Sequence, residues 1–323
     1  MRPVPREEQG VALLTVLLLV AVLATLAAVV LDDIRFGLRR TANAEAVGQG
    51  RWYVLGAESL AAARIQDVLR RADGEARLVW REQAVELPLD QGLIRTRIRD
   101  ASTCFNLNSV AQGRGEVFSP RPEGLAQFKA LAVAVGLAPA EAEQLGAALV
   151  DWIDSDGVRE AGGAEDEAYL TASPPYRTAG GPLAEVSELR AIRGFTPEVY
   201  ARLRPVVCAL PTTDLSPVNV NALGPDDGVL VTMLTEGKAA PEVGRRLIAA
   251  RPADGWSESA FWMEPLVFER QPADPGQIET RPRFFALETV VTHLDAEVVA
   301  TGLIEVDQSG QTRLVARRWT LDE

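Results

Sequence analysis

VALLTVLLLVAVLATLAAVVL, residues 11–31, decides how the rest of this 323-residue chain is read. Its only non-apolar members are Thr15 and Thr25. Wound as an α-helix at about 1.5 Å per residue, the run reaches about 31 Å, the thickness of a bilayer's hydrocarbon core. A core helix of a soluble protein is the alternative, but such helices rarely run so long without a charge. The run is therefore read as a membrane segment.

Composition narrows what the remainder can do. Net charge is −12 and the pI is near 4.8. That balance disfavours binding to nucleic acid or to an anionic membrane surface. A single histidine, His293, excludes His-rich metal sites and leaves any triad only one possible base. Cys104 and Cys208 permit at most one internal disulfide. An exported domain favours their pairing, with two buried free thiols as the alternative.

The apolar run is too long for a secretory signal, and no small-residue cleavage site follows it. It passes directly into Asp32 and Asp33. The small residue stands ahead of the run instead: the leader MRPVPREEQG ends at Gly10, so a cut there leaves the helix on the mature chain with Val11 first. Arg2 and Arg6 fit a cytoplasmic leader, while Glu7 and Glu8 weaken that signal. This arrangement resembles the class III signals of type IV pilins and type II secretion pseudopilins, which a prepilin peptidase cleaves after the glycine. An uncleaved signal anchor is the alternative. Most members of those families carry glutamate five residues after the cut, where this chain has Thr15. A lone carboxylate in a bilayer needs a partner, and a subunit without it resembles the K-type minor subunit that stands first at the tip.

Beyond residue 31 the chain turns polar but keeps a helical period. Val47, Val54, Ala57, Ala61, Ile65 and Val68 share one face, and no proline interrupts residues 11–71. Gly74 is the expected stop. Segments 75–80 and 84–89 read as strands, and 94–99 alternates apolar residues with arginines, as a half-buried strand does. Strand patterns return at 284–294, 297–306 and 313–320, with a turn at 307–310. Between these sets lie about 180 residues of helical, Pro/Gly-punctuated sequence, including runs at 123–135 and 139–153. The economical reading is an α+β fold: a long N-terminal helix packed on one antiparallel sheet, with a helical domain inserted between its strands. The expected segments are a leader at 1–10, a transmembrane helix at 11–31, a sheet domain from 32–103 and 275–323, and an inserted domain at 104–274.

The insert contains DWIDSDGVREAGGAEDEAYL, residues 151–170, with seven carboxylates against one base, Arg159. Such a loop is either solvated or bridged by a hard cation, and oxygen ligands favour Ca²⁺. EF-hand spacing does not fit. No other polar constellation supports carboxylate-pair catalysis.

CFNLN, LVDWIDSD, GAEDEAY, the PPYR–PL–SELR run and NVN, in that order, resemble the general secretion pathway protein K family across essentially the whole mature chain. The resemblance implies a pilin-like sheet, a helical insert and bound calcium. Carried over, it makes Asp154, Asp156, Glu165 and Asp166 the first ligand candidates, with Asp151 and Glu167 weaker. It implies a non-enzymatic subunit at the pseudopilus tip, serving export of folded proteins across the outer membrane. The chain would sit in the inner membrane with its bulk in the periplasm. Its partners would be the I-type and J-type minor pseudopilins, then the H-type, and prepilin peptidase.

Segments 187–210 and 219–263 have a helix-hairpin-helix or SAM-like flavour, which raises a membrane-anchored DNA-uptake protein as a rival. Residues 219–270 carry eight acids against five bases, a poor surface for phosphate. A calcium-dependent periplasmic hydrolase and a type IV minor pilin are the other rivals. Neither nucleic acid nor a small-molecule substrate is an expected partner.

Overall fold

A computed structural model describes residues 6–71, 80, 82–265, 275–307 and 309–320. In chain order the helices are α1 (Arg6–Arg71), α2 (Pro122–Ala134), α3 (Pro139–Ile153), α4 (Asp166–Tyr169), α5 (Pro197–Leu203), α6 (Gly228–Leu234), α7 (Pro241–Ala249) and α8 (Glu258–Met263). The strands are β1 (Gln83–Leu89), β2 (Gly92–Asp100), β3 (Phe105–Asn106), β4 (Ala111–Arg114), β5 (Val117–Pro120), β6 (Val207–Cys208), β7 (Val218–Asn219), β8 (Ile278–Glu279), β9 (Phe284–His293), β10 (Ala296–Val306) and β11 (Thr312–Arg318).

α1 is one unbroken helix of 66 residues, about 99 Å long at 1.5 Å per residue. Its apolar stretch, residues 13–31, is exposed throughout and packs against nothing among the described residues. Its second half lays the periodic face onto the sheet. Val54, Ala57, Ala61 and Ile65 are buried against Ile94, Ile98, Phe285, Leu287, Val291, Val298 and Ile304. Gly50 permits a close approach, since a Cβ there would stand 2.7 Å from Val298 Cγ2.

The sheet has five antiparallel strands in the order β1-β2-β9-β10-β11. Its central pairing joins β2 to β9, so the two halves of the fold meet across an interval of more than 180 residues. The alternation read at 94–99 is real: Ile94, Thr96 and Ile98 face the helix, and Arg95, Arg97 and Arg99 face outward. Arg95 pairs with Glu86 and Arg97 with Glu288, so the stripe is balanced by neighbouring strands. The strand expected at 75–80 falls outside the described residues except for Trp80, which lies in no strand, and Gly74 falls outside them too.

The insert leaves the sheet at Asp100 and returns at Phe284. It packs one contiguous core, with Phe105, Leu107, Phe128, Leu131, Leu145, Leu149 and Leu203 fully or almost fully buried. Prolines open α2, α3, α5 and α7, where a missing N–H costs no hydrogen bond. α3 is the central element, buried on every side from Leu145 to Ile153. The hairpin β4–β5 turns at Gly115, whose φ of 66° suits glycine.

Buried asparagines tie the insert together. Asn108 donates from Nδ2 to the carbonyls of Leu183 and Leu210 and accepts the Leu183 N–H at Oδ1. Asn221 donates to the carbonyls of Trp256 and Thr280 and accepts the Trp256 N–H. Asn219 donates to the buried Asp100 carboxylate at 2.7 Å, linking the insert to the end of β2. These are the asparagines of the CFNLN and NVN motifs, and each closes loops that no backbone ladder satisfies.

Candidate metal centre in the inserted domain

The end of α3 carries the acidic patch into the structure. Asp154 caps the helix C-terminally, with its N–H bonded to the Val150 carbonyl at 2.8 Å. Ser155 is fixed by reciprocal bonds with Phe118 on β5. The chain then loops out and returns at Glu165, which precedes α4.

This path brings Asp154, Asp156 and Glu165 together, with one carboxylate oxygen from each within 4.8 Å of the others. Asp154 is 2% exposed and Glu165 8%, while Asp156 faces solvent. Asp154 Oδ1 and Glu165 Oε1 are buried without a hydrogen-bond partner. Burial, reinforced by the charges of Asp156, Glu165 and Asp151, pushes the Asp154 carboxyl up to about 7. Burial and then the charge of Asp151 raise Glu165 as well. Buried carboxylates with orphaned oxygens are costly, and a hard cation would relieve both the repulsion and the missing contacts.

The other candidates stand differently. Asp166 has both oxygens engaged: Oδ1 accepts the Thr178 N–H and hydroxyl, and Oδ2 accepts Arg177 at 2.8 Å. It braces the 177–178 segment and lies outside the three-carboxylate group. Asp151 is fully buried on the last turn of α3 and accepts the Glu160 N–H at 2.9 Å. Glu167 is exposed on α4 and is not in the group. The sequence pattern could not separate these acids, because the distinction depends on how 177–178 folds back. Trp152, Tyr169 and Tyr176 form an aromatic cluster beside the loop, with ring centroids 5.2–6.3 Å apart.

Cys104 and Cys208 are joined in a disulfide alongside the parallel β3–β6 pair. His293 stacks edge-on against Tyr53, at the helix–sheet interface and not at a cleft nucleophile. The helix-hairpin-helix flavour at 219–263 resolves into α6 and α7 in close contact, where a Cβ on Gly244 would stand 2.4 Å from the Gly228 carbonyl.

Comparison with known proteins agrees with this architecture. A family description, "Type II secretion system (T2SS), protein K", matches residues 103–212. The type II secretion system protein K of Klebsiella pneumoniae is 36% identical over 98% of this chain and 99% of its own length. That of Pseudomonas aeruginosa is 30% identical over 97% and 93%. A chain in the crystal structure of the GspK–GspI–GspJ complex from enterotoxigenic Escherichia coli superposes with a TM-score of 0.75 at 30% identity. It covers 87% of this chain and 99% of that one.

A membrane-length helix laid on an antiparallel sheet, with a helical insert between the strands, thus defines a minor pseudopilin of type II secretion. Within that class, the chain belongs to the type II secretion system protein K family.

Proposed function

We propose that the chain works at the tip of the pseudopilus as an assembly subunit with no chemistry of its own. The observation that carries this reading is its superposition, over nearly the whole length of the other chain, on a component of a three-pseudopilin complex. The partners this implies are the I-type and J-type minor pseudopilins, followed by the H-type. The mechanism rests on α1. Residues 13–31 are exposed apolar surface, which needs lipid before assembly and neighbouring helices afterwards. Thr15 leaves no carboxylate to pair with a subunit above, and the bulky insert stands where a further subunit would add.

In this reading prepilin peptidase cuts between Gly10 and Val11, and the mature helix sits in the inner membrane with the sheet and insert in the periplasm. Asp154, Asp156 and Glu165 would hold Ca²⁺, which supplies no reaction and instead neutralises the carboxylates and fixes the loop. The buried oxygens of Asp154 and Glu165 support that assignment.

Coexpression of the full chain with the I-type and J-type pseudopilins of its own secretion system tests the proposal. A stable three-component complex in detergent is expected. A chain that elutes alone in the presence of both would refute it.

A further inference from the structure

We propose that Asp151 is a positioning residue that braces the loop returning to Glu165, and that position 163 is glycine because the Asp151 carboxylate fills the space beside it. The inference rests on the calcium reading given above.

Asp151 sits one turn before Asp154 on α3 and is fully buried. Yet it is not one of the three carboxylates whose oxygens converge within 4.8 Å. Its Oδ1 accepts the Glu160 N–H at 2.9 Å, and the backbone N–H of Ala164 also favours its charge. The Gly163 N–H closes a turn onto the Glu160 carbonyl at 2.9 Å. Oδ1 therefore ties the loop at 160, while Oδ2 is buried without a hydrogen-bond partner beside Gly163, two residues before Glu165. Where Glu165 emerges, and whether it faces Asp154 and Asp156, follows from that brace.

The second observation lies on the other side of the carboxylate. A Cβ at Gly163 would stand 2.1 Å from Asp151 Oδ2 and 3.1 Å from the Ala147 carbonyl. Neither can move away easily, because both belong to a helix buried on every side. Gly163→Ala would therefore displace the brace while leaving every proposed ligand in the sequence. Groups that orient metal ligands typically change metal affinity by about 10- to 100-fold when removed.

The test is calorimetric Ca²⁺ titration of the full chain in detergent, with amide hydrogen exchange read at Glu160 and Ala164. Wild type, Gly163→Ala and Asp151→Asn are compared, with circular dichroism as the check on folding. For Gly163→Ala, affinity should fall by about tenfold or more with unchanged stoichiometry, and both amides should exchange faster. Asp151→Asn keeps the Oδ1 acceptor, so its affinity should fall by less than about tenfold with stoichiometry again unchanged. Wild-type affinity and wild-type exchange in Gly163→Ala would overturn the positioning role and leave the calcium reading standing. Loss of an ion from the stoichiometry of Asp151→Asn would overturn it by making Asp151 a ligand. A wild-type chain that takes up no Ca²⁺ would remove both readings.

Discussion

Glu58 on α1 and Arg317 on β11, 259 residues apart, form a two-point ion pair, with Nε donating to Oε1 at 2.8 Å and Nη2 to Oε2 at 2.6 Å. Glu58 is buried, on the helix face that meets the sheet. Arg317 also lies against the Trp319 ring, with Arg51 of α1 at 5.3 Å from the same ring. The last strand is thus pinned to the first helix by charge as well as by apolar packing.

Removing one partner leaves the other as an uncompensated charge. Arg317→Ala should destabilise the folded chain by about 3 kcal/mol or more, because the Glu58 carboxylate stays buried. Glu58→Gln, which keeps a polar group of similar shape, should cost less. Urea unfolding of both variants checks the order; equal, small losses would show that the pair contributes little.

Asn108→Ala removes a side chain that makes three buried hydrogen bonds to residues 183 and 210. At about 1–3 kcal/mol for each buried group left without a partner, a loss of several kcal/mol is expected. Asn108→Asp is the sharper variant, since it loses the two donors and adds a buried charge. A thermal midpoint unchanged in either variant would contradict the role given to this asparagine.

The disulfide closes a loop spanning 104 residues. On loop-closure entropy, opening it should cost about 4 to 5 kcal/mol, as an upper figure. Cys104→Ser and Cys208→Ser should each lower stability by similar amounts, and reductant should affect the wild type alone. Additional destabilisation of either serine variant by reductant would argue against this bond as its site of action.

The acidic group predicts an inverted pH dependence in the absence of metal. An aspartate titrates near 3.9 in an unfolded chain, whereas Asp154 is pushed up to about 7. Between those values the folded chain keeps a proton that the unfolded chain has released, so stability falls as pH rises through that window. Glu165 and Asp151, also raised, act in the same direction. In a chelator, thermal unfolding should occur at higher temperature near pH 5 than near pH 7.5. Ca²⁺ should stabilise more at the higher pH, because only the deprotonated carboxylates bind it. Equal midpoints in chelator at both pH values would contradict the burial argument.

How much of this was legible in the sequence depends on the range of the interaction. The extent of α1 and its packed face followed from the spacing of Val54, Ala57, Ala61 and Ile65. Residues 139–153 read as a helix and form α3. The last three strands were recognisable from their Val, Thr, Leu and aromatic content, and the fold class followed from their separation from β1 and β2. What escaped was set by non-local pairing. The two-residue strands β3 and β6 have no periodicity to detect, and meet only because the chain returns after about a hundred residues. Glu58 carries no local sequence signal, because its partner lies on the last strand. Asp166 looked equivalent to Glu165 until Arg177 and Thr178 were seen to occupy it.

An assembly helix at residues 11–31 must stay on the chain when the leader is removed. N-terminal sequencing of the mature protein extracted from membranes reads this out. The expected first residue is Val11, with Gly10 and the leader gone. A chain that begins at Met1, in cells whose prepilin peptidase is active, would contradict it.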